Sequence, residues 1–285
     1  MATVPTVTVF GSCRVDDPIR QMEQAGRAAM NQQNIYGYVH NSREVLQQLE
    51  ILSGHIDVPT RLRPFLNIRG KWAWRPTSTN TATRYRFART DAFVVEISSI
   101  RLLRFKAMFL QINRTREILV TSPAIEKNWW STLLRTGRNE LAAYEAARGG
   151  DTTTVTDEIA AGAVCDEQSL DSVRDDILAI NELLPAPVLF ASHFNTTATG
   201  QPVRQRQVII DAMEEAAAIA DVAWFDPTGL VQEIGPENAI LDPAHYREAF
   251  IPKVGEALLQ RIEDVIDRRS AAPRQPFDLY EMQRD

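Results

Sequence analysis

Cysteine, lysine and long apolar runs are all scarce in this chain. Only two of its 285 residues are cysteine, Cys13 and Cys165. Two thiols so far apart in the sequence exclude a disulfide framework and a zinc knuckle, and they indicate a reducing compartment. The first residues contain no basic segment followed by an apolar core, and no stretch approaches the roughly 20 apolar residues of a membrane helix. We therefore expect a cytoplasmic protein without a membrane span.

Acidic residues are missing from one long stretch. The net charge is −6, but no aspartate or glutamate lies between Asp57 and Asp91, where seven arginines and one lysine occur. An arginine fork suits a phosphate group, so the net acidity does not exclude an anionic ligand. The candidates for binding such a ligand are Arg69, Lys71 and Arg75.

Two other interpretations of the basic stretch remain open. Its cations alternate with aromatic side chains such as Trp72 and Trp74, a mixture that single-stranded nucleic acid would use. The chain as a whole is acidic and the signal is confined to one segment, so we expect no nucleic-acid partner. The stretch is also compatible with a solvated loop that pairs with acidic helices.

Short apolar runs alternate with helical patterns, the order typical of a parallel sheet with crossover helices. Strands are predicted at 7–10, 35–39, 92–97, 187–191 and 222–225. Helices are predicted through Ile19, Met22, Ala25 and Ala29; through Val45, Leu46, Leu49 and Leu52; through Leu102, Leu103, Phe105 and Phe109; and at 170–184, 208–220 and 243–266. This pattern predicts one α/β domain over 1–269, with insertions at about 58–90 and 114–184 and a tail at 270–285.

Polar residues follow the predicted strands. They are Gly11, Ser12, Cys13 and Arg14; His40 and Asn41; Ser98 and Ser99; His193 and Asn195; and Asp226. The carboxyl ends of parallel strands face a common crevice, so this is where we expect the functional groups. Glu96, inside the third apolar run, needs a partner if it is buried, and Arg14 is the candidate; an outward-facing Glu96 on an edge strand is the alternative.

Cys13 stands where the chain turns from strand to helix. Gly11 permits the turn, and we expect the helix dipole and Arg14 to push the Cys13 thiol toward thiolate, the state of a nucleophile. The alternative is a small buried hydrophobic residue, as most free cysteines are.

A partner for Cys13 occurs near the C-terminus. Asp242 lies three residues before His245, a spacing that lets the carboxylate orient one imidazole nitrogen while the other faces a nucleophile. The alternative is a helix start, with Asp242 as N-cap and Pro243 as the first helical residue.

These two blocks, Gly11-Ser12-Cys13 after the first strand and Asp242-Pro243-Ala244-His245 at the end, resemble the SGNH, or GDSL-type, hydrolase superfamily. Cys13 falls on the family's serine and Ser12 on its aspartate. The chain looks like a Gly-Ser-Cys variant, similar to the capsular-polysaccharide acetyltransferase-like members. The resemblance implies a three-layer, flavodoxin-like parallel sheet with helices on both faces, and Cys13, His245 and Asp242 as catalytic residues.

The middle of the chain departs from the family pattern, because no Gly-x-Asn-Asp block is present. For the oxyanion hole or for substrate binding we therefore consider Ser12, Arg14, His40, Asn41, Ser98 and Asn195. Asn41 with Glu44 also fits a capping box that opens the second helix.

Acyl transfer through a cysteine acyl-enzyme is the leading hypothesis. A thioester donor, coenzyme A or phosphopantetheine on an acyl carrier, would give its acyl group to a sugar or small metabolite. Thiol-to-thioester exchange is nearly balanced in energy, so cysteine favours transfer. An SGNH-type esterase or thioesterase is the second hypothesis, and a non-catalytic binding protein is the third. No metal and no obligatory cofactor are expected.

Overall fold

A computed structural model of the protein describes residues 4–31, 37–67, 87, 89–148 and 155–270. Its centre is a five-stranded parallel sheet. The strands are β1 (Thr6–Phe10), β2 (Ala29–Met30), β3 (Ala92–Ile97), β7 (Val188–Ser192) and β8 (Ala223–Phe225). Their order is β2-β1-β3-β7-β8 with every neighbouring pair parallel, which is the flavodoxin-like order. The predicted α/β fold is confirmed.

Helices cover both faces of this sheet. On one face lie α2 (Ser42–Ser53), α7 (Leu170–Leu183) and α8 (Arg204–Ile219), packed on Phe93, Val95 and Phe190. On the other face lie α1 (Cys13–Gln24) and the last helix, α11 (Ile251–Ser270), packed on Val94 and Leu189. All six residues of β3 are buried, because side chains on both of its faces meet a helical layer.

The second strand differs from its prediction. Ile35 and Tyr36 lie outside the described residues, and 37–39 form a loop rather than a strand. Val39 is buried, but its N–H donates only to Gly11 O at 3.1 Å, at the end of β1. Gly37 passes so close to Asn67 that a Cβ would lie 1.9 Å from the Asn67 carbonyl oxygen. The true second strand is β2, and α1 ends at Gln24, so Ala25 and Ala29 are not helical as predicted.

A β-hairpin stands where a helix through Leu102, Leu103, Phe105 and Phe109 was predicted. Strands β4 (Arg101–Phe105) and β5 (Met108–Leu110) pair antiparallel, and β6 (Ala163–Glu167) joins on the other side of β4. Leu103 and Phe105 are buried while Arg104 between them is exposed, a period of two that belongs to a strand. Lys106 turns the hairpin with a φ of 55°.

This three-stranded sheet packs with short helices around a second core. They are α3 (Ile112–Leu119); α4, made of Pro123–Ile125, the π-helical Glu126–Trp130 and Ser131–Thr136; α5 (Leu141–Arg148); α6 (Val155–Gly162); and the 3-10 turn Thr60–Leu66. Trp129, Trp130 and Leu133 are almost completely buried there. The helix predicted over 170–184 is present as α7.

The last helix begins at Ile251 and not at residue 243 as predicted. After α9 (Thr228–Ile234) and α10 (Pro236–Ala239), strands β9 (Ile240–Asp242) and β10 (His245–Tyr246) form a small hairpin, and a 3-10 turn (Glu248–Phe250) leads into α11. The prediction of helix from residue 243 is wrong because Asp242 caps no helix. Its carboxylate accepts instead from Ala244 N at 2.7 Å inside the hairpin turn.

None of the helices in the described ranges combines the length and the apolar character that a bilayer crossing needs.

Candidate active site

The turn between β1 and α1 is held tightly against β3. A Cβ on Gly11 would lie 2.5 Å from Val15 Cγ2 and 2.8 Å from Glu96 Cβ, so only glycine fits. The next residue, Ser12, donates its backbone N–H to Glu96 Oε2 at 2.6 Å. The close approach of the two strands therefore places Cys13 at the carboxyl edge of the sheet, as the first residue of α1.

Glu96 and Arg14 form a buried ion pair under this turn. Arg14 Nε donates to Glu96 Oε1 at 2.6 Å, and the Glu96 side chain is 0% exposed. The expected partnership is confirmed, and the alternative of an outward-facing Glu96 is wrong because β3 is an inner strand. With two donors on its carboxylate, Glu96 fixes both the backbone and the side chain that flank Cys13.

The Cys13 thiol is partly exposed and does not have the acidity that the sequence suggested. Burial raises the pKa of Cys13, and the attraction of Arg14 is offset in part by the negative charges of Glu96 and Asp17. Cys13 is therefore a neutral thiol rather than a thiolate. Its backbone N–H has no acceptor in the described chain, because Ser12 caps the helix by accepting from Arg14 N at 3.3 Å.

Asp242 and His245 form a pair on the β9–β10 hairpin. The Nδ1–H of His245 lies 2.8 and 2.9 Å from the two Asp242 carboxylate oxygens. Donation from Nδ1 leaves Nε2 as the proton acceptor, which is the tautomer that a general base needs. The hydrogen bonds from His245 and from Ala244 N lower the pKa of Asp242. Both side chains are about half exposed, so the pair is accessible to solvent.

Two arginines clamp the hairpin loop between Asp242 and His245. Arg14 Nη1 donates to Ala244 O at 2.9 Å, and Arg206 Nη2 donates to Pro243 O at 2.6 Å. Arg206 also binds Phe194 O at 2.8 Å, and burial beside Arg14 lowers the pKa of Arg206 to about 10. Sequence reasoning missed Arg206. The sequence signal that could have identified Arg206 is its position in the first turn of the helix after the fourth parallel strand.

The clamp brings the two blocks of the sequence together. Arg14 follows Cys13 directly, and the carbonyl that it binds precedes His245 directly. Burial raises the pKa of Asp17 in the first turn of α1, and the nearby His245 ring partly offsets that rise. No hydrogen bond joins the Cys13 thiol to the His245 ring within the described part of the chain. Catalytic hydrogen bonds of this kind often tighten only when substrate is bound.

His40 and Ser98 meet on the neighbouring part of the edge. The backbone N–H groups of Ser98 and Ser99 donate to His40 O at 2.8 and 2.9 Å, and Ser98 Oγ lies 3.4 Å from His40 Nδ1. Asn113 Nδ2 lies 2.9 Å from His40 Nε2. Burial, with a smaller contribution from Arg14, lowers the pKa of His40 to about 4, so this ring is neutral.

The two candidate asparagines serve local structure. Asn41 caps α2 by accepting from Glu44 N, and its amide hydrogens go to Glu44 Oε1 at 2.9 Å and Arg101 O at 3.2 Å. These hydrogen bonds favour the capping alternative for Asn41. Burial raises the pKa of its partner Glu44 to about 8. Asn195 donates to Gln207 Oε1 and accepts from Val203 N, both at 2.7 Å.

The remaining candidates fall outside this edge or outside the described residues. Arg69, Lys71 and Arg75 belong to the segment that the structure does not describe. Cys165 lies in the second core, where burial raises the pKa of its thiol to about 11. His193, the buried residue after β7, donates from Nδ1 to Phe194 O at 3.0 Å, and burial and two arginines lower its pKa.

Comparison with known proteins shows the family to which the chain belongs. The "Vi polysaccharide biosynthesis protein TviD" of Salmonella typhi is 28% identical over 268 residues, which cover 90% of this chain and 31% of that protein. The chain thus spans about a third of the length of this relative. A solved structure of an α/β-hydrolase enzyme from the metagenome of Lake Arreo, Spain, is 10% identical with a TM-score of 0.38, covering 93% of this chain and 98% of that one. The family model described as "TviD N-terminal domain" matches residues 5–261, so the chain belongs to the TviD N-terminal domain family.

Proposed function

We propose that this protein is an acyltransferase that modifies a saccharide through an acyl-enzyme on Cys13. The observation that carries the proposal is the Asp242–His245 pair, oriented by a hydrogen bond and tied through Arg14 to the turn that presents Cys13. A nucleophile, a base and a carboxylate that orients the base are the parts of an acyl-transfer site. The same residues support grouping the chain with the cysteine branch of the SGNH superfamily.

In the first half-reaction the Cys13 sulfur attacks the carbonyl carbon of a thioester. His245 Nε2 takes the proton of the neutral thiol, which the raised pKa of Cys13 requires. The bond between the acyl carbon and the donor sulfur breaks, and the departing thiolate receives the proton from His245. The backbone N–H of Cys13, at the helix N-terminus and without an acceptor, is the donor for the oxyanion. Ser98 Oγ donates to His40 O at 3.3 Å, and rotation of this hydroxyl toward the substrate would supply a second donor, whereas the Asn41 and Asn195 amides are held by their own partners.

In the second half-reaction a saccharide hydroxyl attacks the Cys13 thioester. His245 takes the hydroxyl proton and returns it to the Cys13 sulfur as the ester forms. The relative's printed name, a polysaccharide biosynthesis protein, supports a saccharide as acceptor. A donor such as coenzyme A or a carrier-bound phosphopantetheine supplies a thioester, and no metal or other cofactor takes part in the proposed steps.

Intact-mass spectrometry of the protein after incubation with acetyl-CoA, or with an activated acetyl ester, tests the proposal. We expect one acetyl adduct per chain. Cys13→Ala should give no adduct. His245→Ala should form the adduct at least 100-fold more slowly, because the neutral thiol then has no base.

Addition of an oligosaccharide acceptor to the acetylated protein then separates transfer from hydrolysis. An acetylated saccharide supports the transferase. Release of acetate alone, at the same rate with and without acceptor, would replace it with an esterase or thioesterase. If no donor forms an adduct, the proposal is wrong and the non-catalytic alternative takes its place.

A further inference from the structure

A polar cavity of about 520 Å³ lies beside the proposed catalytic centre. Its walls come from the loop before α2, from the 3-10 turn after α2 and from the start of α3. The lining residues are Tyr38, His40, Arg63, Pro64, Asn67, Gln111, Asn113, Arg114 and Glu117. The volume falls within the range of small-molecule sites.

His40 connects this cavity to the catalytic edge. The residue before it, Val39, donates its N–H to Gly11 O, two residues before Cys13, and the His40 carbonyl accepts from Ser98 and Ser99 at the end of β3. The His40 ring faces Asn113 on the cavity side and Ser98 on the other. A ligand in the cavity therefore lies next to the strand ends that carry the proposed chemistry.

Gln111 presents to this cavity an amide without a hydrogen-bond acceptor in the described chain. It is only 4% exposed, and its Oε1 is used to cap α3 by accepting from Arg114 N. Its amide nitrogen has no acceptor among the described residues, although the side chain lines the cavity. The amide therefore faces the cavity with its N–H groups available, and a ligand hydroxyl can accept from them.

The other cavity groups suit the same kind of ligand. Asn67 and Asn113 add two more amides, each with a donor and an acceptor side, and the Tyr38 side chain, 39% exposed, adds an aromatic surface. Arg114 pairs with Glu117 at 2.7 Å, so much of the charge is balanced within the cavity wall. Several amides with one aromatic face match a molecule that carries many hydroxyl groups.

We propose that this cavity is the subsite that binds one sugar unit of the saccharide acceptor, with the Gln111 amide as a hydroxyl-binding donor. The inference rests on the proposed function. It adds to that function the place where the acceptor binds, between His40 and the first turn of α3, and the residues that recognise it.

Isothermal titration of the full chain with chitotetraose and with tetragalacturonate, without any acyl donor, tests this subsite. We expect at least one of these probes to bind. Gln111→Glu keeps the oxygen that caps α3 and removes the amide donor, and it should weaken the binding of that probe at least 10-fold. Asn113→Ala, which removes an exposed amide from the same cavity, should weaken it as well.

Gln232→Glu, the same substitution at an exposed position on α9, is the matched control and should leave the affinity unchanged. Binding of neither probe, or binding that is equal in the wild type and in Gln111→Glu, would overturn the inference. The result is independent of the acyl-enzyme test. An adduct on Cys13 without saccharide binding refutes only the subsite, whereas Gln111-dependent binding without an adduct refutes only the transferase.

Discussion

At the scale of single residues, one buried carboxylate organises the candidate site. Glu96 accepts from Ser12 N and from Arg14 Nε, and Arg14 in turn holds Ala244 beside His245. A buried ion pair adds little net stability over an apolar pair, but removing one partner leaves an uncompensated charge. The Glu96–Arg14 pair therefore has a positional role that a surface pair lacks.

Glu96→Gln should lower the free energy of unfolding by about 3 kcal/mol, because Arg14 is left buried without its counter-charge. Glu256→Gln is the matched control. Glu256 pairs with Arg27 at the surface, where both side chains are about half exposed, so its loss should cost less than about 1 kcal/mol. Urea unfolding of the two variants measures both values. Equal costs would mean that Glu96 is not the anchor of the turn.

Residue types at strand ends selected several residues that the structure places at the carboxyl edge of the sheet. The rule that parallel strands end at a common edge selected Cys13 and Ser98, which follow β1 and β3, whereas His40 was selected from a predicted strand at 35–39 that the structure does not have. The Glu96–Arg14 pair followed from a charge inside an apolar run. The acidity of Cys13 was not predictable, because burial of the thiol and the charges of Glu96 and Asp17 depend on packing. Gln111 gave no signal, since α3 follows a hairpin and not a strand of the central sheet.

At the scale of secondary-structure elements, the β9–β10 hairpin presents the Asp242–His245 pair. The hairpin is short, and its two strands share a register irregularity between His245 and Tyr246. Such a small element is held by its surroundings more than by its own ladder. The backbone carbonyls of its turn are bound by Arg14 and Arg206 from two different helices.

Arg206→Ala should loosen this hairpin and slow acetylation of Cys13 by about 10-fold, because His245 loses part of its fixed orientation. Hydrogen exchange at 244–246 should be faster in the variant. A general loss of stability would instead speed exchange at other amides as well. Arg204→Ala, on the exposed side of the same first turn of α8, is the matched control and should change neither rate. Unchanged exchange in Arg206→Ala would contradict the clamp.

Helices and strands were predicted correctly where the pattern of apolar residues fits only the element that forms. They were predicted wrongly where the same pattern also fits another element. All central strands except the second were predicted within a few residues, because buried runs of β3 and β7 read as strands from their composition alone. The β4–β5 hairpin was mistaken for a helix because Leu102, Leu103 and Phe109 also fit a helical spacing. The Asp242-Pro243 pair imitates a helix start, although the chain there forms a hairpin turn.

At the scale of the whole molecule, two hydrophobic cores share one helix. Val45 and Leu49 of α2 pack in the core of the central sheet, whereas Ile51 of the same helix packs in the second core with Trp129 and Leu133. A rigid helix that contributes to both cores couples their stabilities. The described chain should therefore unfold as one unit.

Leu133→Ala, which truncates a fully buried side chain of the second core, should cost about 2–5 kcal/mol. If the cores are coupled, the variant shifts the entire far-UV circular dichroism transition in urea to lower concentration and keeps it a single step. Ile219→Ala, at a side chain that is 63% exposed, should leave the midpoint nearly unchanged. A transition that splits into two steps in Leu133→Ala would show that the cores unfold separately.

Locating the acyl group on the chain tests whether Cys13 is the nucleophile of an acyl-transfer enzyme. After brief incubation with acetyl-CoA or an activated acetyl ester, peptide mapping by tandem mass spectrometry should place one acetyl group on Cys13. The label should persist in Cys165→Ala, since that thiol is buried in the second core. An acetyl group on Ser12 or on Cys165, or no covalent label with either donor, would mean that Cys13 is not the nucleophile.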